Sequence, residues 1–85
     1  MPPKHVKLLK RARESPRGWR LRELITLYKG FSFEIRELSR HTSVSHTDFF
    51  LRTTIPRHPN RELDPNYVRD AVRLINKLHD LQKKD

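Results

Sequence analysis

The sequence predicts an α+β domain: a three-stranded antiparallel sheet with two core helices on one face, preceded by an extra N-terminal helix. Residues 21–28 and 68–78 carry apolar side chains at helical spacing. The stretch between them alternates apolar and polar residues, which is typical of strands buried on one side. Because 85 residues leave room for one small domain, we expect residues 1–85 to fold together, with residues 1–18 as an accessory arm and 19–82 as the core.

The first helix is predicted between Lys4 and Glu14, where Val6 and Leu9 stand among lysines and arginines. Ser15 and a following proline end it. Its basic side is either solvated or a stripe that contacts phosphate, and both interpretations remain open.

The second helix has apolar side chains three and four residues apart. They are Leu21, Leu24, Ile25 and Tyr28. Gly30 follows at the position where a left-handed residue often ends a helix, so we expect it to be that C-cap.

Three strands should follow. In the first, Phe31, Phe33 and Ile35 alternate with polar residues. Residues 41–55 should form a hairpin that turns near residues 47–50 and ends at Pro56. The final helix should then begin at Asp64 and Pro65, an N-cap residue followed by a first-turn proline.

The composition indicates a polyanionic partner. Nineteen lysines and arginines against ten acidic residues give a formal charge of +9, the pattern of a surface that binds RNA or DNA. The absence of cysteine excludes disulfides and thiol catalysis. No apolar run is long enough for a membrane span, and residues 1–10 lack a secretory signal, so we expect a cytoplasmic protein without membrane partners.

The histidines are the candidate catalytic groups. If Val44 points into the core, Thr42 and His46 share its side of the strand, while His41, Ser43 and Ser45 lie on the open side.

An imidazole there, among arginines, is suited to assist attack of an RNA 2′-hydroxyl on the adjacent phosphate. We expect His5 and His79 to face solvent. His58 either structures the loop after the last strand or touches RNA.

No metal or cofactor is expected. His41 and His46 are predicted to lie on opposite faces of one strand, and no pair of carboxylates stands at ligand spacing. The chain also lacks a glycine-rich phosphate loop.

The order helix, three strands, helix, together with the run from Thr54 to Ile75 (TIPRHPNRELDPNYVRDAVRLI), resembles the HicA-type mRNA interferase toxins. The resemblance covers about residues 21–78. It implies a fold like that of double-stranded-RNA-binding domains, a catalytic histidine at the start of the second strand, and a HicB-like antitoxin as partner.

The family carries its histidine in a Gly-Ser-His motif. This chain has two segments that match the motif in part. Ser39-Arg40-His41 lacks the glycine and has arginine in place of serine, whereas Val44-Ser45-His46 keeps Ser-His but has valine in place of glycine. Fifteen residues separate His41 from Pro56, enough for two strands and a turn, and only ten separate His46 from it. We therefore favour His41 and keep His46 as the alternative.

The leading hypothesis is a metal-independent endoribonuclease toxin that cleaves mRNA. The residues expected to bind RNA are Arg40, Ser43, Ser45, Arg57, His58 and Arg61. Two alternatives stay open: a catalytically inactive RNA-binding module on the same fold, and a subunit whose basic face docks an acidic protein.

Overall fold

The computed structural model describes residues 3–57 and 61–83. Its elements are α1 (Lys4–Glu14), α2 (Leu21–Gly30), β1 (Phe33–Glu37), β2 (His41–His46), β3 (Arg52–Pro56) and α3 (Pro65–Lys83). The strands form one antiparallel sheet in the order β1-β2-β3. The predicted α+β class, with a three-stranded antiparallel sheet and an additional N-terminal helix, is therefore confirmed.

The central strand β2 has one buried and one accessible side. Thr42, Val44 and His46 are buried, whereas His41 is exposed and the two serines between them are half-buried. This is the alternation predicted from Val44. Because neighbouring strands pair in register, the whole sheet has one side that faces the core and one that does not.

All three helices contribute to a single hydrophobic core. The side chains buried most completely come from α2, α3, the sheet and the segment between α1 and α2; they include Trp19, Leu24, Leu27, Tyr28, Ile55 and Ile75. From α1, Leu9 and Ala12 join the same cluster. The N-terminal helix is thus packed onto the rest of the described chain, where it extends a core that is small in a domain of this length.

The start of α3 is fixed by its N-cap. Asp64 accepts a hydrogen bond from the backbone N–H of Asn66 through Oδ1, at 2.8 Å, and Pro65 occupies the first helical position, where no N–H is needed. The predicted helix start is confirmed. None of the helices in the described part of the chain is long and apolar enough to cross a membrane.

The prediction that Gly30 is a left-handed C-cap is wrong. The left-handed residues are Gly18, with φ +78°, and Ser32, with φ +70°. Gly30 is instead the point where α1 approaches α2: a Cβ placed on it would lie 3.0 Å from His5 Nδ1 and even closer to His5 Cβ and Cγ. Glycine is required here by the close approach of two helices, which is a tertiary constraint.

The expectation that His5 and His79 face solvent is also wrong. Both are half-buried, and both present themselves edge-on to the ring of Phe31, with centroids 4.9 and 5.5 Å away. Phe31 follows α2 directly, so the three rings join the ends of α1, α2 and α3. The two histidines help to dock α1.

Candidate functional site

One face of the sheet is left accessible by the described helices, and we call it the open face. Its members point away from the core on the three strands and are exposed or half-buried. They are Glu34, Arg36, His41, Ser43, Ser45, Arg52 and Thr54. Seven polar side chains on one sheet surface can make many hydrogen bonds to a ligand. They are not suited to packing against the apolar face of another helix or sheet.

The pairing register arranges the open face in rows across the strands. Ser45 lies between Glu34 and Arg52. One step along, Ser43 lies between Arg36 and Thr54, and His41 is paired with Pro56 at the end of the sheet. Because residues of one face are two apart, Ser45 and His41 stand about 13 Å from each other along β2.

Two arginines join the β1–β2 turn to the end of β3. Arg40 precedes His41 in the turn between β1 and β2, and its backbone carbonyl accepts the N–H of Arg57 at 3.1 Å. The Arg57 guanidinium donates through Nη1 to the carbonyl oxygen of Leu38, at 3.0 Å. The turn is therefore tied to the end of β3. The Arg57 side chain, however, lines a cavity with Leu21 and Ile25 of α2, so it lies on the helix side of the sheet and not on the open face with His41.

His46 has a different environment from His41. It is 7% exposed, and its ring lies between Phe33 and Phe49, with centroids 5.1 and 5.4 Å away. Its Nδ1 accepts the backbone N–H of Asp48 at 3.0 Å, so the proton of the neutral ring is on Nε2. His46 thus holds the β2–β3 turn from the core side, where it has little access to a polyanion on the open face.

Of the two remaining predicted RNA contacts, one lies in the described part of the chain. Arg61 is exposed and lines a cavity of about 300 Å³ that also includes Pro56, the residue paired with His41. His58 lies outside the described residues.

Three further residues near the open face were not among the predicted contacts. The alternation of β1 and β3 was sufficient to find Arg36 and Arg52, because each has the parity of its strand's polar side. Phe50 is fully exposed in the β2–β3 turn. The alternation of Phe49, Leu51 and Ile55 on one face gives Phe50 the same parity as Arg52, so that alternation was the signal that could have found it.

The groups whose pKa values are shifted lie away from the open face. Burial, followed by the negative charge of Asp70, raises the pKa of the Tyr28 hydroxyl far above its ordinary value. For Glu23, burial raises the pKa, but hydrogen bonds from the Arg11 side chain and the Arg20 backbone outweigh it and the net pKa is lowered. These shifts concern helix packing, so they assign no acid or base to the open face.

A metal centre is not supported by the arrangement of possible ligands. Within residues 3–57 and 61–83, no three histidine, aspartate or glutamate side chains are grouped closely enough to hold an ion. What the open face offers is hydroxyls, guanidinium groups and one imidazole, which are donors for phosphate oxygens. No protein-family model, curated protein or solved structure matches the chain.

Proposed function

We propose that this protein is an RNA-binding endoribonuclease of the HicA type, with a fold like that of double-stranded-RNA-binding domains, and that it cleaves mRNA with His41. The observation that carries the proposal is the position of an exposed histidine on a polar sheet face. His41 shares that face with Ser43 and Ser45 and has Arg40 as its neighbour in the chain. A formal charge of +9 makes a polyanion the favoured ligand.

The chemistry requires one proton transfer from the imidazole. As a general base, neutral His41 removes the proton of a ribose 2′-hydroxyl; the 2′-oxygen then bonds to the adjacent phosphorus while the bond from phosphorus to the 5′-oxygen breaks. The products are a 2′,3′-cyclic phosphate and a 5′-hydroxyl end, whose proton comes from solvent. If His41 is the general acid, it protonates the leaving 5′-oxygen instead.

An arginine supplies the electrostatic part. Arg40 is the chain neighbour of His41, and guanidinium groups bind phosphate oxygens in two-pronged geometry. Negative charge on these oxygens grows in the transition state, so a cation beside the imidazole lowers the free energy of that state. Ser43 and Ser45 lie farther along the open face, where their hydroxyls hydrogen-bond the RNA and position it.

The proposal includes a protein inhibitor that binds the same surface. Under this proposal a HicB-like antitoxin covers the open face and prevents RNA from reaching His41. The complementary chemistry is an acidic surface that pairs with Arg36, Arg40 and Arg52.

Cleavage of a mixed-structure RNA, with EDTA present to suppress metal nucleases, tests the activity. We expect the wild type to cut, His41→Ala to lose about 10²–10⁴-fold in rate, and His46→Ala to keep its rate at temperatures where it is folded. Ser43→Ala is the matched control on the same strand face, and we expect it to weaken binding without abolishing cleavage. Full activity of His41→Ala would refute the assignment.

A non-catalytic RNA-binding module is the second candidate, and the motif itself favours it. Arg40 stands where the family has serine, and no side chain among the described residues hydrogen-bonds the His41 ring to orient it. RNA binding by the wild type and by His41→Ala with equal affinity, without cleavage by either protein, would select this function.

A further inference from the structure

Phe50 is an apolar side chain in an unusual position. Its side chain is fully exposed, with a relative accessibility of 102%, although the preceding residue, Phe49, packs against the core and against His46. A phenylalanine ring held in water forgoes the stabilisation that burial of such a side chain supplies. Core packing therefore gives no reason for an aromatic residue at this position.

The surroundings of Phe50 are formed by the β2–β3 turn and the strand ends beside it, and they combine polar residues with His46, Asp48 and the apolar Phe49 and Leu51. Phe50 borders a surface cavity of about 270 Å³ whose wall also includes Ser45 and Arg52, both members of the open face. Phe50 thus stands at the turn end of that face, and His41 stands at the other end. An aromatic ring next to a guanidinium group and hydroxyls is the combination with which proteins hold unpaired bases and their phosphates.

We propose that Phe50 is a base-stacking position and that the ligand of the open face is single-stranded RNA running along β2 from Phe50 to His41. This inference rests on the proposed RNA-binding function and names its substrate class. An exposed ring can stack only on a base whose face is free, and base faces are hidden in a duplex. The distance of about 13 Å from Ser45 to His41 leaves a short single-stranded segment between the stacked base and the reacting phosphate.

The charge of the face agrees with this ligand. Arg52 lies beside the stacking position, Arg36 lies in the next row, and Arg40 lies at the His41 end, so cations accompany the strand along its length. Glu34 is the acidic member of the face, and it lies on the edge strand β1, opposite Arg52 across Ser45. We therefore expect the phosphates to follow β2 and β3.

Binding of an uncleavable RNA tests the inference. The probe is a fluorescein-labelled 2′-O-methyl oligoadenylate of about 12 nucleotides, within the usual site size, compared with the same strand paired to oligouridylate. We expect Phe50→Ala to weaken binding of the single strand by about 5- to 150-fold, the range for loss of one stacked base. The duplex affinity and the salt dependence should stay nearly unchanged, because no phosphate contact is removed.

Two variants complete the experiment. Phe50→Trp should keep the affinity, and its added fluorescence should be quenched by the bound strand, which a merely structural role would not produce. Leu38→Ala removes another exposed apolar side chain, 54% accessible, from the opposite turn, and it should leave binding unchanged.

The outcomes separate this inference from the proposed function. If the wild type binds neither probe, RNA binding and the stacking position both fail. If the wild type binds the single strand and Phe50→Ala binds it equally well, RNA binding stands and the stacking position is refuted. An equal loss of affinity for the single strand and the duplex also refutes the stacking position. So does a Phe50→Ala effect seen only in binding to phosphatidylglycerol vesicles, which would make the ring a membrane-surface anchor.

Discussion

Replacing Gly30 with alanine should destabilise the protein even though alanine favours helices. The added Cβ would lie inside van der Waals contact with His5, whose Nδ1 would be 3.0 Å away and whose Cβ and Cγ would be closer. The atoms that clash most belong to the root of the side chain, so rotation of His5 cannot relieve the contact. The backbones of α1 and α2 must therefore separate.

The magnitude follows from two opposing effects. Alanine in place of glycine within a helix contributes about 0.5–1 kcal/mol of stability. Overpacking of a well-packed contact costs about 1–3 kcal/mol. The loss of stability cannot exceed the cost of undocking α1 completely, since the helix would then separate and the clash would disappear. That cost includes exposure of Leu9, whose burial stabilises the protein by about 1.5–3 kcal/mol. We expect a net destabilisation of about 0–2.5 kcal/mol, at roughly 4–8 °C of melting temperature per kcal/mol.

Thermal unfolding followed by circular dichroism measures the loss, and fluorescence locates it. Trp19 is the single tryptophan; it is fully buried, and the Arg11 guanidinium of α1 lies 4.6 Å from its ring centroid. Separation of α1 should therefore shift its emission to longer wavelength.

The matched control adds His5→Gly to Gly30→Ala, which removes the His5 atoms that the new Cβ would meet. In that background the alanine should stabilise. A Gly30→Ala protein more stable than the wild type would refute the close-approach explanation.

Three other predictions concern single residues. Ser32→Gly should raise the free energy of unfolding by about 0.5–1 kcal/mol in urea titrations, because glycine adopts the left-handed backbone of this position without a steric cost; an unchanged midpoint would contradict it. Glu23 has a folded-state pKa below its ordinary value, so its contribution to stability is complete above about pH 4.5 and is lost as the pH falls through the folded-state pKa. Urea midpoints at about pH 7 and about pH 3 should differ less for Glu23→Gln than for the wild type, and an equal difference would show that the ion pair with Arg11 contributes nothing. His46→Ala should lower the melting temperature through loss of about 1–3 kcal/mol, whereas His41→Ala should change stability by less than about 0.5 kcal/mol because its side chain is exposed; equal melting temperatures would disprove the assigned difference in burial.

Local chemistry in the sequence was sufficient to predict the elements. The capping pair Asp64 and Pro65 acts within one turn of α3, and the alternation around Val44 is a property of one strand. Both are short-range effects, so neither depends on the rest of the chain. The position of His46 on the core side followed from the same alternation, and only its role in the turn, as acceptor from Asp48, needed coordinates.

The errors arose where one helix meets another. Gly30 looks like a helix C-cap because glycine commonly ends helices, but its requirement comes from His5, which is distant in sequence. The sequence also suggests that His5 and His79 face solvent, because it does not show which helices pack together. In the structure, the packing of α1 and α3 brings both histidines to Phe31. A periodicity describes which face of a helix is apolar, and it contains no information about which partner will cover it.

The distribution of polar residues on the sheet separates the demands of folding from those of binding. The side of β2 that faces the core holds Val44 and Thr42, both fully buried, and substitutions there must change stability. On the open side, replacement of His41 or Ser43 removes little buried surface, so the free energy of unfolding does not dictate which residues occupy these positions. A surface whose composition is not required by stability, and which nevertheless holds an imidazole, hydroxyls and guanidinium groups in adjacent rows, is suited to a phosphate-rich ligand. If substitutions on this side reduce RNA affinity at constant melting temperature while those on the core side change both, binding and folding are assigned to opposite faces of one sheet.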